Sequence, residues 1–382
     1  MKTGIKSIGA YLPYHYMTRT TLAAAWGGKK GIGEKSIADV DEDSVTMAVE
    51  AAMGCFRFIK REDVNALYFA STTGVYAEKS HSALISVACD LDDAETFTTD
   101  FASSTRAGTN ALKSAMDSAA ANNKTNVLVV ASDMRNGFPK SAEESGFGDG
   151  AAAVVVGSGE GLIAEVDYFT SINEEINDYW RNACEKYTRH AEGRFCDEEG
   201  YLLQVNKVLK KLFNETGLKA SDFNKVILVA QKQKLRDKVI KKNNFTAEQT
   251  ADTLLLNVGD TGAAQGILGL VNTIENSAAG DRILLVDYGN GANAFVLTVT
   301  ENITKLGAKG QITQYLKNRK ELTSYAKFLS WRDIAAAEPG GAFKLPASTS
   351  QIWREQNINI RLHGSVCKKC GAVFKTNRDT DY

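Results

Sequence analysis

The chain has 382 residues, more than the roughly 100 to 200 of one ordinary domain, so we expect one large duplicated fold or two to three domains. Apolar residues make up 43% and charged residues 24%, and no uncharged apolar run approaches the ~20 residues of a membrane span, so disorder and membrane insertion are not expected. The 45 basic and 46 acidic side chains give a net charge of -1, too little for a nucleic-acid-binding field, so neither nucleic acid nor a membrane is an expected partner.

The N-terminal residues 1–13 contain no apolar stretch of the kind that a secretory signal needs, so we expect a cytoplasmic protein. Cys367 and Cys370 are the closely spaced pair among the six cysteines. In a reducing compartment, such a Cys-x-x-Cys pair is typical of half a zinc site or of a redox pair rather than of a structural disulfide.

The first half of the chain predicts alternating strands and helices. A buried strand at Ala66–Ala70 is followed by a helix that begins near Ala107, with apolar residues at i, i+3 and i+4. A strand at Val127–Ala131 and a glycine-rich turn at Gly146–Gly150 then lead into a strand at Ala151–Gly157. The last two strands are short, continuous apolar runs, which is typical of strands buried on both faces.

The same order of elements returns in the second half of the chain. A strand at Val226–Val229 precedes an apolar helix that begins near Gly262. A strand at Ile283–Val286, a glycine turn at Gly289–Gly291 and a strand at Ala294–Val299 follow. An internal repeat of about 150 residues is too long for a solenoid unit, so it predicts two similar α/β halves that pack together. The alternative is a coincidental alternation of helices and strands.

We assign residues 1–165 to the first half and residues 166–305 to the second half. A charged extension and linker is predicted at 306–350, because its last part is rich in proline, glycine and serine. A small cysteine-containing tail follows at 351–382. Ligand sites in open α/β sheets lie at the carboxyl ends of strands, so we look for candidate site residues directly after the predicted strands.

Five motifs of the chain are informative because they occur together and in one order. They are the N-terminal MKTGIKSIGAYLP, the acidic DED at 41–43, RAGT at 106–109, RHAEGRF at 189–195 and GDRILLVDYGNG at 280–291. Together they resemble the archaeal-type 3-hydroxy-3-methylglutaryl-CoA synthases of the thiolase superfamily. The resemblance implies an α/β, duplicated five-layer αβαβα thiolase-like fold. It also implies acyl-CoA or CoA as substrate, and a like or homologous thiolase-fold subunit as partner in a homodimer or heterodimer.

The tail from Arg361 to Gly371 is similar to the start of the zinc-ribbon and OB-fold acyl-CoA-binding domain that accompanies such enzymes, fused or as a separate chain. This resemblance implies zinc at Cys367 and Cys370 and an acyl-CoA-binding zinc-ribbon/OB-fold protein as a further partner. A zinc ribbon needs four ligands, and a second cysteine pair is missing before Tyr382. We expect a truncated domain first; alternatively, another chain completes the site, or the two cysteines bind nothing.

Claisen chemistry in this superfamily needs a nucleophile, a base and donors for the thioester oxyanion. The resemblance places Thr105, which follows Ser103 and Ser104, at the position of the family's nucleophilic cysteine. It places Ala230 at the position of the catalytic histidine and Thr72 at that of the glutamate of the synthases. None of the three side chains supplies the family's chemistry, because a hydroxyl with no adjacent base is a poor nucleophile.

The fourth position departs from the pattern as well, since Asp260 stands where the family has an asparagine. The four histidines are His15, His81, His190 and His363, so residues 191–362 contain no imidazole. Nucleophile, base and acid are therefore lost together, which predicts that the ordinary chemistry is gone.

The backbone that surrounds the site is predicted to be retained. The turn of Gly289, Asn290 and Gly291, with the N–H groups near Ser104 and Thr105, is a candidate oxyanion-hole-like nest. The alternative is that these glycines only permit tight turns.

Basic side chains near the predicted CoA entrance form a second candidate site. Lys232, Lys234 and Arg236 are candidates to bind the phosphates of CoA, although a charge run is more often a solvated helix face. Arg106 is a candidate partner of a substrate carboxylate or of Asp100.

Our first hypothesis is a thiolase-like acyltransferase family member with a degenerate active site, acting as a non-catalytic subunit of an acyl-CoA thiolase or condensing complex. The alternative is an active acyl-CoA C-acyltransferase, for Claisen condensation or thiolysis, that uses a hydroxyl of Ser103, Ser104 or Thr105 with Asp260 or another group as base. A third hypothesis is a module that binds acyl-CoA without chemistry.

Overall fold

The computed structural model of the protein describes residues 2–91, 95–122, 125–306, 310–336 and 348–374. The strands are β1 (Thr3–Tyr11), β2 (His15–Thr18), β3 (Glu34–Ile37), β4 (Ala66–Ala70), β5 (Phe97–Phe101), β6 (Val127–Asp133), β7 (Gly150–Ser158), β8 (Ala164–Asn173), β9 (Tyr179–Trp180), β10 (Arg189–His190), β11 (Lys225–Leu228), β12 (Arg282–Tyr288), β13 (Gly291–Val299), β14 (Lys320–Glu321), β15 (Ser365–Val366) and β16 (Val373–Phe374). The helices are α1 (Arg19–Ala25), α2 (Ser44–Cys55), α3 (His81–Ala88), α4 (Ala107–Ala121), α5 (Ala142–Gly146), α6 (Gly193–Phe195), α7 (Leu203–Thr216), α8 (Gln233–Lys242), α9 (Gln265–Glu275), α10 (Gln311–Asn318), α11 (Tyr325–Trp331), α12 (Thr349–Arg354) and α13 (Gln356–Asn359).

The main sheet has the strand order β11-β12-β13-β8-β1-β7-β6-β4-β5. Its two ends follow one plan, because the order β1-β7-β6-β4 of the first half returns as β8-β13-β12-β11 in the second. The halves are joined where β1 pairs with β8 through Gly4 and Ile5. The predicted duplication is confirmed, and the partner of β5 in the second half is reduced to a single bridge at Thr250.

Alternating side chains of the strands produce the layers. In β6 and β7, Leu128, Val130 and Val155 face a core that contains α2, whereas Val129 and Val154 face α4 and α9. Strands β12 and β13 repeat this alternation, with one face toward α7 and α8 and the other toward α9.

The central layer consists of α4 and α9. Every residue of α9 except Asn272 is buried, which is typical of a helix enclosed on all sides. On α4, small residues such as Gly108 allow close approach, since a Cβ there would lie 2.3 Å from the Ala263 carbonyl oxygen. The five-layer αβαβα arrangement is therefore confirmed.

The described part of the predicted charged extension packs on the first half of the chain. Leu322 and Phe328 pack against Met17, Leu22 and Ile37 of the first half in a separate apolar cluster. The Pro-, Gly- and Ser-rich part of the extension at 337–347 lies outside the described residues. In the described part of the chain, no helix is long and apolar enough to cross a membrane.

Candidate functional site

The position of the predicted nucleophile lies at the N-terminus of α4, against the turn between β12 and β13. The hydroxyl of Thr105 donates to the carbonyl of Tyr288 at 3.0 Å, and that of Ser104 donates to the carbonyl of Gly289 at 3.1 Å. Ser103 has a φ of +68°, so the chain reaches the helix through a left-handed residue. Both hydroxyls are thus engaged by backbone acceptors and not by a base.

Gly289, Asn290 and Gly291 form the turn that covers these hydroxyls, as the sequence predicts. A Cβ on Gly289 would lie 2.6 Å from Thr105 Oγ1 and 2.8 Å from the Arg106 nitrogen, so the approach requires glycine. Asn290 and Gly291 have φ values of +52° and +108°. The Gly289 N–H donates to the Gly291 carbonyl at 3.0 Å, so this donor is used within the turn. The oxyanion-hole role of the turn stays a prediction.

Arg106 fastens this turn to the end of β8. Its guanidinium donates to the carbonyls of Ile172 at 2.9 Å and Asn290 at 2.8 Å, and to Asn173 Oδ1 at 2.9 Å. Asp100 instead accepts hydrogen bonds from His81, so the structure does not bring Arg106 and Asp100 together as a pair. Arg106 therefore links the two halves through structural hydrogen bonds.

Thr72 hydrogen-bonds to a buried carboxylate, that of Asp133, which sequence reasoning missed. Asp133, fully buried at the end of β6, accepts five hydrogen bonds. They come from the hydroxyls of Ser71, Thr72 and Thr73, the Thr72 N–H and the Ala263 N–H. Thr72 is thus part of a closed network and not an exposed acid or base.

Asp260 is paired in the same region. Its carboxylate lies 2.6 Å from the Arg135 guanidinium, and both side chains are less than a tenth exposed. The Asp260 carboxylate also accepts the Gly262 N–H at 2.9 Å, while the Arg135 guanidinium stacks on the Phe147 ring. The Asp260 carboxylate is therefore occupied by structural partners.

Ala230 is buried in the outer core of the second half, directly before the basic segment. Lys232 and Lys234 both pair with Asp197, at 2.6 Å and 3.3 Å. Arg236 is buried and donates to the Ala251 carbonyl. Their contact with CoA phosphates stays a prediction, with Lys234 the most exposed of the three.

A small cleft lies beyond Ala230 at the ends of β11 and β12. It is lined by Asp178, Tyr179, Cys196, Asp197, Tyr201, Gln231, Leu235 and Tyr288. Tyr288 connects the cleft to the nucleophile position, because its carbonyl accepts the Thr105 hydroxyl while its phenol donates to Asp178. Burial raises the pKa of the Asp178 carboxyl above its ordinary value.

Sequence reasoning missed most of the cleft residues. Cys196 directly follows the motif at 189–195, and that position was the available signal. Its thiol contacts the carbonyls of Asp178 at 3.4 Å and Ala191 at 3.6 Å. The cleft is assembled from four separate segments of the chain, so spacing along the sequence does not reveal it.

The cysteine tail folds as a small hairpin of β15 and β16. Backbone N–H groups of Cys370 and Lys369 lower the pKa of the Cys367 thiol, which suits a metal-bound or reactive thiolate. Within the described residues, no group of three or more His, Cys, Asp or Glu side chains is placed to hold a metal ion. Zinc binding by Cys367 and Cys370 therefore stays a prediction.

The structure brings the predicted site residues into two groups. Ser104 and Thr105 meet the turn at 289–291, whereas Thr72 and Asp260 bond to Asp133 and Arg135, respectively, at the end of β6. Two duplicated α/β halves around two central helices, with the candidate site at the N-terminus of one of them, define a thiolase-superfamily fold.

Comparisons with known proteins identify the family within this superfamily. Residues 213–300 match a family model described as 3-oxoacyl-[acyl-carrier-protein] synthase III C terminal. The hydroxymethylglutaryl-CoA synthase of Aeropyrum pernix is 32% identical over 84% of this chain and 91% of its own length. That of Methanocaldococcus jannaschii is 32% identical over 86% of this chain and 98% of its own length. The chain belongs to the hydroxymethylglutaryl-CoA synthase family.

Solved structures show the same fold. A crystal structure of HMG-CoA synthase complexed with CoA has a TM-score of 0.78 and 22% identity, covering 91% of this chain and 95% of that one. The HMG synthase of the curacin biosynthetic pathway, in complex with its holo donor acyl carrier protein, also has a TM-score of 0.78, with 19% identity over 87% and 89% of the two chains.

Proposed function

We propose that this protein binds an acyl-CoA thioester without performing the family's condensation, and that it serves as a non-catalytic subunit of an acyl-CoA thiolase or condensing complex. One observation carries the proposal. Thr105, Thr72 and Asp260, which occupy three of the family's catalytic positions, all bond to structural partners.

The physical argument concerns proton transfer. A Claisen step needs an ionisable nucleophile and a base whose pKa lies near the working pH. Thr105 contributes an alcohol bonded to a carbonyl, Ala230 contributes a methyl group, and Asp260 is paired with Arg135. These groups cannot generate a carbanion and receive an acyl group at the family's position.

Acyl-CoA binding is supported by the retained frame. Relatives of this fold have been solved with CoA and with 3-hydroxy-3-methylglutaryl-CoA. In this chain, Lys232 and Lys234 pair with Asp197, which lines a small cleft beside Tyr288. Ammonium groups at the mouth of a site attract the CoA phosphates.

The partner of this subunit is proposed to be a like or homologous thiolase-fold chain. Strand β5 ends the main sheet, and Phe97 on it is 62% exposed. An unpaired edge strand offers backbone donors and acceptors to another strand. A zinc-ribbon/OB-fold protein is the second proposed partner, with Cys367 and Cys370 supplying half of a shared zinc site, and we place the complex in the cytoplasm.

A paired measurement tests the proposed function. Isothermal titration calorimetry of the purified chain with CoA and acetyl-CoA is expected to show binding, whereas an assay of condensation with acetoacetyl-CoA is expected to show no product. Condensation by the chain as an isolated homodimer would refute the non-catalytic role. Failure to bind either thioester or CoA would refute acyl-CoA recognition.

A hydroxyl-dependent acyltransferase is the second candidate, favoured by the place of Thr105 at the N-terminus of the 15-residue helix α4. The helix dipole there stabilises a developing negative charge. Under this alternative, Thr105→Ala and Ser104→Ala each lower acyl transfer, whereas the proposed function predicts no transfer by these hydroxyls in any variant.

A further inference from the structure

An acidic turn faces the lysines that are proposed to bind the phosphates of CoA. Residues Cys196–Leu202 form a π-helix between α6 and α7. Helices of this kind are rare and frequently occur at functional sites. Here the π-helix places Asp197 and Glu198, which are consecutive in the chain, against lysine side chains at the start of α8 and on its exposed face.

Asp197 holds two of these lysines at once. One of its carboxylate oxygens lies 2.6 Å from Lys232 Nζ, and the other lies 3.3 Å from Lys234 Nζ. The Asp197 side chain is only 12% exposed, whereas that of Lys232 is 32% and that of Lys234 is 68% exposed. The carboxylate is therefore the inner member of the cluster, and the two ammonium groups reach the solvent.

The positive charge at this end of α8 is largely used within the protein. Lys232 and Lys234 share the Asp197 carboxylate, and Lys238 pairs with Glu198 at 3.0 Å. Both carboxylates lower the positive potential that attracts an anion to this surface. A phosphate group that binds here must also compete with Asp197 for the N–H donors of the same ammonium groups.

The two lysines differ in how firmly they are held. The contact of Lys234 with Asp197 is the longer one, and its side chain is the more exposed. Exposed ion pairs contribute little free energy, so Lys234 is the ammonium group that a phosphate takes first. Lys232 stays with Asp197, because a mostly buried carboxylate that loses every partner costs free energy.

We propose that Asp197 is an autoinhibitory gate of the CoA site. Its carboxylate competes with the phosphates of CoA for the two lysines, and a bound phosphate displaces it from Lys234. This role rests on the proposed function, in which these lysines bind CoA, and adds the group that opposes binding. The gate favours ligands with several phosphate charges, such as the diphosphate and the ribose phosphate of CoA, since a single charge only replaces that of the carboxylate.

Isothermal titration calorimetry of the full chain with CoA tests the gate. Asp197→Asn preserves the size of the side chain and removes its charge. We expect it to lower the dissociation constant roughly 2- to 5-fold, the equivalent of one exposed ion pair. Asp197→Ser should give the same gain and serves as a second variant if asparagine prevents folding, which thermal melting checks.

Glu198→Gln is the matched control for the loss of a charge. It removes one negative charge from the neighbouring residue, whose partner is Lys238 rather than Lys232 or Lys234. We expect it to change the dissociation constant for CoA by less than about twofold. Equal gains in Glu198→Gln and Asp197→Asn would indicate a general effect of net charge and would overturn the gate.

A double-variant cycle identifies the lysine that the gate releases. In the Lys234→Met background, Asp197→Asn should improve CoA binding less than it does in the wild-type background, because the released ammonium group is missing. The same improvement in both backgrounds would overturn the assignment of Lys234.

The same titrations separate the gate from the proposed function. CoA binding by the wild type that Asp197→Asn leaves unchanged or weakens overturns the gate and leaves the proposed binding function intact. Absence of CoA binding in the wild type and in every variant refutes the proposed function, and the gate with it.

Discussion

At the scale of single residues, the hydroxyls of Ser104 and Thr105 lack the surroundings that a nucleophile needs. Each donates to a backbone carbonyl at about 3 Å, and neither has a base beside it among the described residues. An alcohol in this state stays protonated at neutral pH, because nothing nearby accepts its proton.

Gly289→Ala is expected to lower the free energy of unfolding by about 1–3 kcal/mol, as overpacking does. The new methyl group would lie 2.6 Å from Thr105 Oγ1 and 2.8 Å from the Arg106 nitrogen, so the turn must move. Chemical denaturation measures the loss. Gly146→Ala is the matched control, since its Cβ would meet no heavy atom within 4 Å. Equal effects of the two substitutions would contradict the close approach at Gly289.

Asp287→Asn is expected to change how stability depends on pH. Burial raises the pKa of Asp287 from 3.8 to about 7, so between these values the folded state holds a proton that the unfolded state has released. Asp287 thus makes the free energy of unfolding fall as pH rises through this window. Denaturation across pH 4 to 7 should show a flatter profile in the variant.

Asp237→Asn, at an exposed position of α8, is the control for this profile and should keep the wild-type slope. If Asp287→Asn keeps that slope as well, Asp287 does not titrate in the folded protein within this window.

At the scale of elements, two buried carboxylates hold three loop ends together. Asp133 gathers the residues after β4 and the start of the segment before α9, and Asp260 pairs with Arg135 after β6. Positions that would carry catalytic groups in the family therefore contribute to the packing of the loops.

Arg135→Met is expected to cost about 3–5 kcal/mol of folding free energy, because it leaves the buried Asp260 carboxylate without its partner. The double variant Arg135→Met/Asp260→Leu should lose less, since no charge remains uncompensated. Equilibrium denaturation of the double variant and of the single variants Arg135→Met and Asp260→Leu provides the measurement. A double variant as unstable as the sum of both single changes would show that the pair itself is not coupled.

The strands and central helices could be predicted because an element that is buried on two faces has a continuous run of apolar residues in the sequence. The strand predicted at Ala66–Ala70 matches β4, and the one predicted at Val127–Ala131 lies within β6. The partners of Thr72 and Asp260 could not be predicted, because Asp133 and Arg135 meet them only through the tertiary fold. The pattern of apolar residues along an element indicates which of its faces is buried, whereas the pairing of side chains depends on how distant segments are arranged.

At the scale of the whole molecule, the C-terminal extension is part of the folded body. Phe328 is buried against the cluster around Met17, and Arg332 pairs with the fully buried Asp149. The apolar residues of this charged segment determine how it packs. The extension, the segment before β7 and strand β3 converge on one buried polar cluster.

Lys35 lies in that cluster and should give the molecule a distinct alkaline profile. Its ammonium group is buried, donates to the Glu144 carbonyl at 2.6 Å and faces Arg332 and Asp149. Burial, with Arg332 next in effect, lowers its pKa from 10.5 to about 7. Between these values the unfolded state binds the extra proton, so the free energy of unfolding should rise as pH increases.

Lys35→Met is expected to remove this rise, because methionine preserves length without a titrating group. Urea denaturation from about pH 7 to about pH 10 measures the slope. Lys242→Met, on the exposed end of α8, is the control and should retain the wild-type rise. A wild-type slope that survives in Lys35→Met would place the titration elsewhere. If the rise is lost in Lys35→Met and kept in Lys242→Met, the buried Lys35 accounts for the dependence of the free energy of unfolding on pH in this range.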